Sequence, residues 1–272
     1  DVLASNDFTV SVNAGPAVQF VDFGGLTINA MSGDDDIDVE TNALDLTNDV
    51  TLNGDLPGTG GGDTVTVRGD AGADAFSWTP SGPDSGVVSV SGETIIVTST
   101  ESLFYDGEGD NEAITVNGDG GVETFVHTAG GSVDDGEIAI TNDGAGRLGL
   151  SYVNLGAGGS VTVDGAGDDD RLVVQGTGAA DTLHMDTTDI SLTSPLGTHV
   201  PLIPVNMEGV TLAGLEGDDR FTVEPNVTIP LQVEGGPGGS DVLLIDEFSL
   251  SLPFASFIVQ PDFTNMQDDT GE

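Results

Sequence analysis

The chain has 272 residues and a mass of 27.5 kDa, with 41 glycines, no cysteine, and 4 basic against 47 acidic residues, a formal charge of −43. Arg68, Arg147, Arg171 and Arg220 are all of its cations, which excludes nucleic-acid binding through phosphate neutralisation and a polybasic hold on anionic lipid. The missing cysteines exclude disulfides, thiolate metal sites and thiol nucleophiles.

Helical spacing of apolar residues is absent, and short alternating runs replace it. In chain order they are Phe8–Val10, Leu26–Ile28, Ile37–Val39, Val65–Val67, Phe76–Trp78, Ile114–Val116, Phe125–His127, Val161–Val163, Leu172–Val174, Leu183–Met185, Val210–Leu212, Phe221–Val223 and Leu231–Val233. Each puts two side chains on one face with a small or polar residue opposite, as a half-buried strand requires. The first apolar residue recurs eleven positions on in Leu26 to Ile37, Val65 to Phe76, Ile114 to Phe125, Leu172 to Leu183 and Val210 to Phe221. A strand of about five residues and a Gly/Asp turn of about six fill that step.

A longer module lies above this step. It opens with an acid before a strand (Asp7, Asp74, Glu123, Asp181, Asp241), continues through two variable strands, and closes on a strand, a glycine turn and an acidic cluster. The approximate modules are 7–39, 74–116, 123–174, 181–223 and a partial 241–272, with no linker between them. Strand–turn repeats with open edges are stable when stacked, so the expected fold is all-β: one repeat solenoid, a right-handed parallel β-helix. The alternative is a row of small antiparallel β-sandwiches.

No stretch resembles a membrane span. The most apolar, Ser249 to Val259, is too short and is broken by Pro253 and Ser256. No leader follows Asp1, so the sequence reads as a mature secreted chain or a piece of a longer one.

The turns Gly214-Leu-Glu-Gly-Asp-Asp-Arg-Phe-Thr, Gly165-Ala-Gly-Asp-Asp-Asp-Arg-Leu-Val and Gly235-Gly-Pro-Gly-Gly-Ser-Asp-Val-Leu resemble the hemolysin-type (RTX) calcium-binding nonapeptides and, in style, the Gly/Asp-rich repeats of large secreted bacterial surface proteins. The eleven-residue step departs from the nine-residue RTX half-turn, which argues against a regular RTX roll. The resemblance implies calcium as cofactor, and hard cations do favour carboxylate and carbonyl oxygens. The candidate ligands are Asp34, Asp35 and Asp36; Asp110 and Glu112; Asp168, Asp169 and Asp170; and Asp218 and Asp219. Two other accounts of these acids are turn formation, in which Asp bonds its own backbone, and solubility in strong brine.

Other motifs carry less. Gly144-Ala-Gly-Arg-Leu-Gly149 has dinucleotide-binding spacing but leads into a strand-like run where a helix is needed. His127, His184 and His199 lack metalloprotease spacing. His127 and His184 are read as equivalent strand-surface residues, Trp78 as core, and Tyr105 and Tyr152 as conceivable sugar-stacking platforms. Arg171 and Arg220 follow acidic clusters at matching places, which suggests repeated charge pairing. Asn226-Val-Thr228 fits the N-glycosylation pattern.

The sequence therefore points to a non-enzymatic extracellular structural or adhesive module (fibre, stalk, surface layer or adhesin) at a bacterial surface, stabilised by calcium. It is expected to self-assemble or bind surface glycans, and to bind neither nucleic acid nor membrane. The second reading is a carbohydrate-active β-helix, a polysaccharide lyase or hydrolase, with its site around Gly130 to Tyr152 near Arg147.

Overall fold

A computed structural model describes residues 24–41, 49–55, 62–224, 227–237 and 239–245 with their side chains, and strands 8–10, 18–20, 257–259 and 263–268 by their backbone. Asp7, most of the segment Phe248 to Val259 and Asn226 lie outside the described residues. All the regular structure is β, and no described helix is long and apolar enough to cross a membrane.

β1 (Phe8–Val10) and β2 (Val18–Phe20) pair antiparallel. The chain then alternates between a fourteen-stranded and a ten-stranded sheet, neither of them closed. The larger sheet takes β3 (Leu26–Asn29), β5 (Val50–Asn53), β7 (Ala75–Pro80), β8 (Gly86–Val90), β9 (Glu93–Thr98), β11 (Ala113–Asn117) and β15 (Ser160–Asp164). It continues with β17 (Thr182–Met185), β18 (Ile190–Ser194), β19 (Gly197–Thr198), β20 (Leu202–Val205), β22 (Arg220–Val223), β24 (Asp241–Ile245) and β26 (Phe263–Asp268). The smaller sheet takes β4 (Asp36–Glu40), β6 (Thr64–Arg68), β10 (Ser102–Asp106), β12 (Glu123–Ala129), β13 (Gly136–Asn142), β14 (Ala145–Val153), β16 (Arg171–Gln175), β21 (Gly209–Ala213), β23 (Leu231–Glu234) and β25 (Phe257–Val259).

All thirteen alternating runs are strands. The eleven-residue step is the passage from one sheet to the other, and two steps return the chain beside itself in parallel register, Phe221 opposite Leu243. The sheets are nonetheless mixed, because three segments fold back on themselves as antiparallel meanders: β7–β8–β9, β12–β13–β14 and β17–β18–β20. These hold the variable strands expected in the module middles. The first two turn through Ser91–Gly92 and Asp143–Gly144, both residues of each pair at positive φ, the geometry that matches strand twist in a two-residue hairpin. The dinucleotide-like Gly144 to Gly149 runs from the hairpin turn into β14, as its strand-like sequel implied.

Alternation in the sequence becomes alternation in burial: β6 buries Val65 and Val67 and turns Thr64, Thr66 and Arg68 outward. The inward residues of both sheets form one apolar cluster. Phe76 of β7 stacks on Tyr105 of β10, ring centroids 4.1 Å apart, and Trp78 Nε1 donates to Leu148 O of β14 at 3.1 Å, so aromatic side chains tie one sheet to the other.

Candidate functional site: carboxyls at the strand entries

The feature repeated most often is an acid at the residue that enters a strand, buried in most copies, half-buried at Asp35 and exposed at Glu101 and Glu208. Its carboxyl accepts the backbone N–H of the acid entering the neighbouring parallel strand. Asp35 N donates to Asp63 Oδ1 (2.8 Å) and Asp63 N to Glu101 Oε2 (2.7 Å). Glu123 N donates to Asp170 Oδ1 (2.7 Å) and Asp170 N to Glu208 Oε2 (2.9 Å). Asp181 N donates to Asp219 Oδ1 and Asp219 N to Asp241 Oδ1 (2.9 Å each), and Asp74 N donates to Glu112 Oε2. The sequence separation is 22 residues between Asp219 and Asp241, 28 between Asp35 and Asp63, and 38 or 47 where a meander intervenes, yet the bond is the same. An acid suits this place because the entry N–H lies outside the ladder and a carboxylate is the strongest acceptor for it.

Room for the inward carboxyl comes from a glycine five residues earlier: Gly69, Gly107, Gly118, Gly165, Gly176 and Gly214 precede Asp74, Glu112, Glu123, Asp170, Asp181 and Asp219. A Cβ on Gly118 would stand 2.6 Å from Glu123 Oε2 and 2.7 Å from Gly165 O. The module-opening acids Asp74, Glu123, Asp181 and Asp241 and the cluster acids Asp35, Glu112, Asp170 and Asp219 therefore share one structural position. The glycine spacing is the signal that reveals it.

Burial sets the electrostatics. Desolvation, together with the charges of Asp181, Asp241 and Asp218, pushes the Asp219 carboxyl up to about 6 against the bond from Asp181 N–H. Glu112 is raised first by burial and then by Asp74, Asp110 and Asp70, again against an N–H bond from Asp74. Glu123 rises to about 7, burial being the largest cause. Each of these three keeps one buried oxygen without a hydrogen-bond partner, as do Asp35 and Asp63.

The structure divides the ten sequence-predicted ligands. Asp34, Asp36, Asp110, Asp168, Asp169 and Asp218 are exposed, whereas Glu112, Asp170 and Asp219 are buried and accept amide N–H groups, and the half-buried Asp35 donates its own N–H to Asp63. Calcium asks for six to eight oxygens. Among the described residues no three His, Asp or Glu side chains gather as a metal-holding group, and no ligand set is assigned.

Several other expectations change. Tyr105 and Tyr152 are fully buried and offer no sugar platform. Among the described residues neither Arg171 nor Arg220 forms an ion pair. Arg68 instead joins three strands through Asp106 (2.8 Å), Asp38 (3.3 Å) and Glu40 (3.6 Å), and Arg147 holds Asp119 (3.1 Å). His127 and His184 are not equivalent: His127 stands four residues after its entry acid and points inward, and His184 stands three after and points outward, 3.4 Å from Glu224. A one-residue offset in a strand exchanges faces.

His127 Nε2 bonds Tyr152 Oη at 2.7 Å, while its Nδ1 has no partner; burial, aided by His199, lowers the imidazole to about 3. The native chain therefore keeps His127 neutral where the unfolded chain takes up a proton. Its contribution is present above about pH 6.5 and lost as pH falls toward 3, at about 1.4 kcal/mol per pH unit. Urea titrations of wild type and His127→Gln between pH 7 and 4 should show the wild type losing more stability with acid, and parallel curves would count against the assignment.

Comparison with known proteins adds no relative: no family model, no curated protein and no solved structure matches this chain.

Proposed function

We propose that the chain is a two-sheet, right-handed β-solenoid that acts as a non-enzymatic structural or adhesive module of a bacterial surface or secreted fibre, its exposed acids screened by divalent cations such as calcium. The observation that carries this reading is the uniformity of the strand-entry bond, which recurs from Asp35 to Asp241 in both sheets. A chain that spends its inward acids on one repeated backbone contact is organised to extend rather than to surround a substrate. The parallel pairing between successive visits to a sheet, and the modules at 7–39, 74–116, 123–174, 181–223 and from 241, favour a stacked repeat over a row of sandwiches. Sheets that end on β3 and β4 at one side and on β25 and β26 at the other suit head-to-tail association with a second copy.

With a charge of −43, cations that gather on the folded surface should stabilise it by mass action. Thermal melts in excess chelator, in millimolar calcium and in molar KCl test this. A Tm lower by many degrees in chelator and restored by calcium supports the reading. An unchanged melt removes the cation, and restoration by KCl alone assigns the acids to high-salt solubility. Electron micrographs of the same samples should show rods that lengthen with calcium.

A further inference from the structure

We propose that the outer face of the larger sheet is a lateral docking surface for a second copy of this chain, the two copies lying side by side with these faces together. The face is set apart by its lack of charge. Eight neighbouring strands, in the order β20, β15, β11, β7, β8, β9, β5 and β3, run across it without a break. Inside these strands every residue that alternates outward is uncharged. Thr51 lies beside Ile96 and Ile96 beside Val87, and farther along Ser77 lies beside Thr115 and Thr115 beside Thr162. At the end of β15, Asp164 is already occupied by Asn206 Nδ2 at 2.8 Å. Strand propensity does not account for the pattern, because threonine and valine favour strands in either sheet. The smaller sheet, built by the same alternation, turns Asp36, Asp38 and Glu40 outward on β4, Asp106 on β10 and Glu137 on β13.

A second copy is the occupant that such a face suits. Two chains of charge −43 repel wherever their acids meet, and here they can approach without bringing carboxylates into the contact. The size is sufficient: eight strands about 4.8 Å apart and about 17 Å long offer roughly 600 Å² per copy, so a pair covers roughly 1,200 Å², where specific interfaces begin. The side chains suit a dry contact. β-branched Thr, Val and Ile have little rotamer freedom to lose, and uncharged rows at strand spacing interdigitate when sheets pack face to face. Several polar groups of the face are bonded along it, Asn53 Nδ2 to Asn29 Oδ1 at 3.1 Å, Thr98 Oγ1 to Leu52 O at 3.3 Å and Asn117 Nδ2 to Thr79 Oγ1 at 3.1 Å, which lowers the cost of covering them.

The margins of the face fix how the pairing responds to salt. Acidic turns join the strand ends, as with Asp110 before β11 and Asp119 after it, so the margins of two paired copies repel. Salt screens that repulsion within about 10 Å. The pairing therefore strengthens as salt rises, whereas docking of a cationic partner weakens. This contact is between the sides of two molecules and does not depend on the end-to-end association suggested above.

Sedimentation velocity of the full chain at rising micromolar concentration, in dilute and in molar NaCl, is the test. Wild type should form dimers that tighten at least several-fold in the higher salt. Thr115→Glu with Thr162→Glu puts two acids on the face and should leave a monomer. Thr66→Glu with Thr211→Glu adds the same charge to the outer face of the smaller sheet and should leave the dimer intact. A wild type that stays monomeric in molar salt, or a dimer that weakens with salt, overturns the proposal. So does a dimer that survives the first pair of substitutions, which assigns association to the rod ends, or one lost equally in both pairs. A second measurement needs no added charge. The chain has no cysteine, so Thr115→Cys can be labelled alone by a thiol reagent. Its labelling in molar salt should slow several-fold as protein concentration rises while that of Thr66→Cys does not, and an unchanged rate at Thr115→Cys overturns the proposal.

Discussion

Trp78→Ala is expected to destabilise the chain by about 3 to 5 kcal/mol, the range for removing a buried aromatic from a close-packed interior. Trp78 is completely buried, and its ring lies against Gly86 of the neighbouring strand, where a Cβ would stand 2.8 Å from Cζ2. Its Nε1–H also bonds Leu148 O in the opposite sheet, so the alanine variant leaves both a cavity and a carbonyl without its donor. Trp78→Phe should recover more than half of the loss, lacking about 1 kcal/mol from the hydrogen bond and the volume of the second ring. Urea denaturation measures both. Midpoints should fall in the order wild type, phenylalanine, alanine, and an alanine variant within 1 kcal/mol of wild type would show that Trp78 does not join the two sheets.

Substitution of glycines separates close approach from backbone conformation. Gly214→Ala puts a methyl into the place used by the Asp219 carboxyl and 2.7 Å from Gly235 O, so a rung of backbone must move, and a cost of about 2 to 4 kcal/mol is expected. Gly109 has φ of +91 with open space where its Cβ would lie, and Gly109→Ala should cost only the left-handed strain, about 1 to 2 kcal/mol. If the two variants proved equally stable, the room made for the inward carboxyl would not be what requires glycine at position 214. The same logic predicts that Asp219→Ala softens the effect of Gly214→Ala, since the group in the way is gone.

The strands were readable in the sequence because alternation has a period of two and burial follows it: Val161-Thr-Val163 and Leu172-Val-Val174 need no partner to declare their inward faces. The step of eleven residues was readable too, although its meaning, a change of sheet, appears only once Phe221 is seen opposite Leu243. The acids were harder. Asp168, Asp169 and Asp170 are identical as residue types, and only the path of the turn sends the third inward to Glu123 N–H while the other two face solvent. The spacing from Gly165 would have distinguished them. The hairpins were signalled by Asp143-Gly144 and Ser91-Gly92, whose positive φ values match twisted antiparallel strands, but a search for parallel repeats does not look for such pairs. His127 was misread by a single place along β12, which is all that separates a surface imidazole from a buried one.

The meanders have a consequence for how the chain tolerates change. Strand entries on either side of an inserted hairpin bond in the same way across 38 residues as across 47. Length between two entries is therefore free to vary at the hairpin tips while everything stacked around them keeps its place. Lineages could lengthen such tips without rebuilding the scaffold, and foreign peptides grafted between Ser91 and Gly92 would be displayed at fixed heights along it.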